Sequence, residues 1–500
     1  MKSIRDLQID KLTNWADYDV IVIGGGATGL GTAVEASYKG LRVALFEKYD
    51  FAKGTSSKST KLLHGGVRYL AQGNIGLVFS ALRERGRILK NAPQHTHVQD
   101  FIIPVYSILD KYFYLLGLKI YDLLAGNLSL GKTRYIDRGE TIKCLPCIKS
   151  KNLYGGIIYT DGGFDDAALA ISLALTATHL DAVVLNYFDV ASFIEEDSKV
   201  IGVNVIDQIS NIHYRVKAKV IINATGVFAE QMTKNVKKLK NNFSIVPSRG
   251  SHIVVDRKHF DSDFALMIPK TSDGRVLFAV PFHGKVLVGT TDKAVKSPII
   301  EPVPSKQEIS FIINTFNQYA ELPISKSDIL SMYAGLRPLV KHKGISNTSK
   351  LKRDHTIVDH RNGLVTITGG KWTTYRKMAE DVVKIVAKNY GLHINDLSTK
   401  DLVLQSSPKD YEKDNDTDRI HALYTITSRD VVHAYYHEFA VKAEDFLARR
   451  SRLQLLDANA CIQSIDRVLK ILQNERNTDQ IQFDLEKKEY LDLIKNYLPD

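Results

Sequence analysis

Over the first fifty residues the spacing of apolar positions changes twice. Tyr18 to Ile23 (YDVIVI) is a short, branched apolar run of the kind buried on both faces of a sheet, and it stops at three glycines. Ala27 to Lys39 then reads as a helix and Gly40 supplies its stop. Leu41 to Phe46 (LRVALF) is a second buried strand, closed by Glu47. Strand, helix and strand in that order begin a βαβ unit. Similar runs return at Lys219 to Asn223 (KVIIN), before Ala224-Thr225-Gly226, and at Leu364 to Thr368, before Gly369-Gly370 and an amphipathic helix from about Thr373 to Asn389. Three distant strands that end in small residues predict a parallel sheet with a ligand at its carboxyl edge.

Between these runs the pattern alternates. Val200 to Ile206, His252 to Val255, Val276 to Val280 and Lys285 to Val288 read as strands of a second, mainly antiparallel sheet interleaved with the first. After about Leu397 strand runs vanish and helical periodicity takes over, as in Ala460 to Gln473 and Leu485 to Tyr497, which predicts a separate C-terminal helical domain. No internal repeat or low-complexity tract interrupts this order.

A chain of 500 residues exceeds what one core can fill, so two or three units are expected. No stretch approaches the roughly 18 uncharged apolar residues of a spanning helix. Met1 to Asp17 alternates charged and apolar residues without the layout of an export signal, so the expectation is a chain that is not exported. The three cysteines agree with a reducing compartment. Cys144 and Cys147 form a CxxC, but Pro146 lies inside it and further metal ligands are missing, so the pair is read as structural and no metal is expected. The net charge of +11 fits nucleic acid, anionic lipid or an anionic substrate. With no Arg-rich tail and no aromatic RNA-recognition pattern, a lysine-rich solvated surface is favoured and nucleic acid is not.

Gly24-Gly25-Gly26-Ala27-Thr28-Gly29 satisfies GxGxxG directly after a strand and at the opening of a helix. Gly24 suits the tight turn, Gly26 lets backbone approach a pyrophosphate, and Gly29 lets helix pack on strand, while the helix N-terminus offers N–H donors. Glu47 stands at about the 20-residue distance where a carboxylate accepts from a ribose diol. These residues predict a dinucleotide site. The turns at Ala224 to Gly226 and at Gly370 bring the chain back twice to the same cofactor, which an extended FAD would use more than NAD. The hydroxyl run Thr55-Ser56-Ser57 could line that cofactor or be an ordinary turn.

Beyond these elements the sequence resembles the FAD-dependent glycerol-3-phosphate dehydrogenases. The matching blocks are Gly24 to Gly29, Thr55 to Ser57, Lys61 to Tyr69 (KLLHGGVRY), Gly250 to Val255 (GSHIVV), Gly289 to Asp292 (GTTD), Gly335 to Leu339 (GLRPL) and Gly369 to Arg376 (GGKWTTYR). They run in the family's order from about Asp19 to Tyr390, and the helical tail fits the family more loosely. The resemblance implies an α/β fold with a Rossmann-like FAD-binding domain (18–75, 150–240 and 350–396), interleaved with a mainly antiparallel β-sheet substrate domain (76–149 and 241–349). A C-terminal all-α domain (397–500) follows.

The resemblance also implies Arg68, Tyr69, His252, Arg337 and Lys371 as the substrate site, with His64 beside the flavin and Thr373 at a helix opening toward it. Hydride would pass to flavin N5 while His252 takes the hydroxyl proton. A phosphomonoester with a secondary alcohol needs converging cations and a base, and these residue types supply both.

The family favours a peripheral enzyme on the cytoplasmic face of the cell membrane that passes electrons to a quinone, and leaves a homodimer open. Related oxidases give the electrons to oxygen. The leucine- and aromatic-rich stretch Ile108 to Leu124 is too polar to span and suits either the lipid interface or a packed helix. An amine or amino-acid oxidase on the same FAD scaffold, or a flavin-bearing RNA-binding module, are the competing readings.

Overall fold

The computed structural model describes residues 1–14, 17–67, 73–237, 239, 243–271, 274–342, 355–407 and 418–499. Strand Asp17–Ile23 lies in the middle of an eight-stranded sheet, between Val43–Phe46 and His213–Asn223, and all three run parallel. Leu364–Gly369 joins parallel on the far side of His213–Asn223 and Val183–Leu185 beside Val43–Phe46. Successive residues of the central strand face opposite ways. Val20 and Val22 join the core beneath helices Ala27–Tyr38, Asp166–His179 and Tyr375–Tyr390, whereas Ile21 and Ile23 join a core with Phe188, Val203 and Leu12. Burial on both faces explains the unbroken apolar runs.

The second sheet has ten strands. Phe243–Asp256 pairs over most of its length with Ile329–His342, and its other edge meets Lys285–Gly289. Pairing is antiparallel apart from Ala265–Ile268 beside Thr96–Val105. One face packs with helix Lys306–Tyr319 and the other with helix Ile108–Ala125.

Three assignments differ from those read along the chain. Gly155–Phe164 and Leu62–Leu63, expected in the nucleotide-binding segments, lie in the second sheet. Lys199–Asp207, expected in that second sheet, instead extends the first as an antiparallel meander with Phe188–Glu196 and the outer half of His213–Asn223. Of the three only Lys199–Asp207 was legible as a strand, and its pairing partners, like those of the other two, are set by distant segments that local alternation does not report.

From Ser428 the chain is largely helical, with Ser428–His437, Ala458–Arg476 and Gln480–Ile494 around a core of their own. That core takes in Val254, Leu287 and Tyr333 of the second sheet, so the helical domain is seated on the strands that carry His252 and Arg337. Cys144 and Cys147 are free thiols packed at the edge of the second sheet's core. Among the described residues no helix is long and apolar enough to cross a membrane.

Candidate active site

Two cavity arms meet where the sheets adjoin. The larger, about 650 Å³, follows the carboxyl edge of the first sheet past Gly24, Gly26, Glu47, Ala224 to Gly226 and Gly370. The smaller, about 330 Å³, is walled by His64, His252, Thr290 to Asp292, Arg337, Lys371 and Thr373. Thr55, Lys58, Gly335, Gly370 and Lys371 border both, so the arms share one wall.

The glycines of the larger arm are required by contact. Gly24 sits at φ +109°, a left-handed conformation that L side chains rarely adopt, and a Cβ on Gly29 would stand 1.8 Å from Gly24 O. The helix can therefore start against the strand only if both are glycine. Glu47 accepts from Gly25 N at 2.6 Å and Tyr49 N at 2.9 Å, and burial pushes its carboxyl above the usual range. Ser56 Oγ accepts from Ala27 N at 3.0 Å, capping the glycine-led helix from a separate loop, and Ser56 O accepts from Trp372 Nε1 at 2.8 Å. Thr55 Oγ1 donates to Leu336 O at 2.6 Å and ties that loop to the strand bearing Arg337. Ser57, expected in the same wall, is buried behind it and borders neither arm; its carbonyl accepts from Lys61 and Arg452.

The cradle fits an adenine dinucleotide with a further ring system. The Gly24-Gly26-Gly29 turn and the start of helix Ala27–Tyr38 would hold the pyrophosphate, Glu47 the ribose, and Gly370 with Thr373 the flavin end.

The smaller arm owes its layout to strand register. In the ladder between Phe243–Asp256 and Ile329–His342, His252 lies opposite Tyr333, Gly250 opposite Gly335 and Ser248 opposite Arg337. Alternation puts all six on one face. Glycine at the middle pair opens room for the guanidinium, since a Cβ on Gly250 would stand 2.4 Å from Arg337 Nη2. Arg337 donates to Thr291 O and Thr290 Oγ1, each at 3.0 Å, and pairs with Asp292 at 3.5 Å.

The His252 ring stacks on Tyr333 with centroids 4.8 Å apart and planes 9° off parallel, and its Nε2 is 2.9 Å from Thr60 Oγ1. Burial, then the cations Arg337 and Lys61, hold its pKa well below the ordinary imidazole value. His64 is neutral for a similar reason: burial, Lys371 and Arg85 push it down to about 3, and its backbone N–H donates to Thr373 Oγ1 at 3.3 Å. Tyr121 holds the loop after His64, donating to Asp161 at 2.8 Å and accepting from Gly65 N at 2.6 Å.

Thus Thr55, Ser56, His64, His252, Arg337, Lys371 and Thr373 converge, although they come from segments far apart in the chain. Arg68 and Tyr69 lie outside the described residues. Thr60, Tyr333, Asp292 and Arg275, which also border the smaller arm or hold its imidazole, were not singled out from the sequence. Tyr333 had a signal, because it precedes Gly335 and Arg337 by steps of two and so shares their face.

A glycine-lined nucleotide arm opening onto a cationic chamber defines a dinucleotide-dependent oxidoreductase. The family model for FAD dependent oxidoreductases matches residues 19–376, and that for the C-terminal domain of alpha-glycerophosphate oxidase matches 350–482. The mitochondrial glycerol-3-phosphate dehydrogenase of Arabidopsis thaliana is 35% identical, over 96% of this chain and 86% of that protein. The human mitochondrial enzyme is 32% identical, over 99% and 75%. The crystal structure of the glycerol-3-phosphate dehydrogenase from Bacillus halodurans complexed with FAD superposes with a TM-score of 0.80 at 27% identity, covering 99% of this chain and 98% of that one. The chain belongs to the FAD-dependent glycerol-3-phosphate dehydrogenase family, and FAD is its cofactor.

Proposed function

We propose that the chain oxidises sn-glycerol 3-phosphate to dihydroxyacetone phosphate. The observation that carries this reading is the meeting of Arg337, Lys371 and a neutral His252 in one chamber that opens onto the nucleotide arm. When bound, FAD supplies the acceptor for the hydride leaving the substrate carbon. Arg337, anchored by Thr290 and Thr291, presents a planar fork suited to phosphate oxygens, and Lys371 adds a second positive charge on the shared wall. His252 takes the hydroxyl proton. Its Nε2 lies 2.9 Å from Thr60 Oγ1 and its Nδ1 is enclosed, so the tautomer decides which nitrogen offers the lone pair. A proton gained there is repelled by Arg337 and Lys61, so it is readily passed on. The test is anaerobic addition of glycerol 3-phosphate to the purified yellow protein. Bleaching of the flavin bands is expected; bands that persist while another alcohol or amine bleaches them would overturn the substrate.

The same reading sends the electrons to a quinone at the inner face of the cell membrane. Its support is helix Ile108–Ala125, where Leu109 and Leu123 are each 79% exposed and Phe113 and Leu116 each 64%. Exposed large apolar side chains in such number on one helix favour a lipid surface over water, with the exposed Lys119 available to headgroups, while Lys111 Nζ sits 3.5 Å over the Tyr135 ring. Pelleting with anionic vesicles tests it.

A further inference from the structure

One buried carboxylate holds the loop that borders His252. Asp166, the first residue of helix Asp166–His179, accepts from Ser59 N at 3.0 Å and from Ser59 Oγ at 2.7 Å. It also accepts from Lys61 Nζ at 2.7 Å on both oxygens and from Arg452 Nη2 at 2.9 Å. Lys61 and Arg452 converge again on Ser57 O, at 2.7 and 3.1 Å. The Lys61 and Asp166 side chains are fully enclosed. Water cannot replace any of these partners, so the loop from Ser57 to Lys61 has a single low-energy seat.

Arg452 belongs to the helical domain, just ahead of Leu453–Leu456, and Leu453 shares a core with Tyr333. Two contacts carry the clamp on to the imidazole. Thr60, inside the clamped loop, meets His252 Nε2 edge-on, and Tyr333 covers the ring face while its hydroxyl donates to Ser59 O at 2.9 Å. The groups facing His252 are the Arg337 guanidinium and Lys61, whose ammonium burial and then Arg452 pull down to about 7, so that its charge is full only below that pH; Asp166 keeps Lys61 in place.

We infer that Asp166 and Arg452 are positioning residues for proton abstraction, through which a helical domain whose described residues line neither cavity arm fixes the orientation of His252. The inference rests on His252 being the base. Burying a carboxylate with two cations is costly in desolvation, and what such a network supplies in return is one conformation rather than many. Arg452 itself touches no part of either arm.

The test uses full-length holoprotein carrying Arg452→Met, Arg452→Lys, Tyr333→Phe or His252→Gln. Flavin bleaching by glycerol 3-phosphate is followed anaerobically from about pH 5 to 9, alongside FAD content and melting temperature. His252→Gln is expected to slow the limiting rate about 100-fold or more. Arg452→Met is expected to keep its FAD yet lose roughly tenfold in limiting rate with half-saturation little changed. It is also expected to gain an acid limb near the ordinary imidazole pKa of about 6.5, as the loosened ring becomes protonatable. Arg452→Lys should recover much of the rate, and Tyr333→Phe, which keeps the stack but frees the loop, should lose several-fold. Wild-type rate and pH profile in both Arg452→Met and Tyr333→Phe overturn the positioning role; if Arg452→Met does not fold, Tyr333→Phe decides alone. A wild-type rate in His252→Gln instead removes the base assignment, which is a separate failure.

Discussion

Replacing Arg337 by alanine removes the guanidinium from a chamber where it donates to Thr290 and Thr291 and pairs with Asp292. Truncating one partner of a buried charge pair costs about 2 to 5 kcal/mol. Here the Arg337 side chain is 34% exposed and Asp292 24%, so solvent screens the acid left behind and the lower half of that range applies. A loss of about 2 to 3 kcal/mol at about 1.36 kcal/mol per decade is roughly 30- to 150-fold in kcat/KM. With that guanidinium gone the Asp292 carboxylate borders the phosphate dianion, so much of the loss should enter through KM. Arg337→Lys keeps the charge but not the fork and should recover only part of it. Steady-state rates with glycerol 3-phosphate and a soluble dye acceptor measure both variants, with FAD content as control. A kcat/KM for Arg337→Ala within threefold of wild type would refute the phosphate contact.

Other outcomes follow from the same geometry. Because the folded-state pKa of His252 is depressed, the ring is unprotonated well below its ordinary titration range, and once the neighbouring Lys61 is charged, below about pH 7, the limiting flavin reduction rate at saturating substrate should stay flat down to about pH 5.5. A fall in that rate centred near 6.5 would mean the imidazole is not held neutral. In Gly29→Ala the new Cβ collides with Gly24 O, so the protein should purify with most of its yellow colour gone, and full FAD occupancy would contradict the packing account. A Leu109→Glu/Leu123→Glu variant should bleach normally with substrate yet remain in the supernatant with anionic vesicles that pellet the wild type. Co-sedimentation of that variant would move the lipid contact elsewhere.

The parallel strands and the nucleotide turn were legible because each rests on a local requirement: burial on both faces for Tyr18 to Ile23, and close approach for Gly24 and Gly29. The chamber residues His252, Arg337 and Lys371 were legible through resemblance and through the phosphate chemistry their types fit. Less was readable where partners are remote. GGIIYTDGGF at Gly155–Phe164 looks alike whichever sheet it joins, and its pairing with Thr96–Val105 is fixed by tertiary packing. Ser57 was misplaced because a hydroxyl run does not say which member turns inward. Arg452 and Asp166 stand far apart in sequence and carry no motif; three-dimensional closure alone brings them to one loop.

The nucleotide arm borrows Gly24, Glu47, Thr225 and Gly370 from segments spread across more than half of the polypeptide. A nascent chain leaving the ribosome therefore has no early portion able to retain the cofactor, because the pocket is sealed after Leu364–Gly369 docks beside His213–Asn223. FAD that binds the finished form alone stabilises it by mass action.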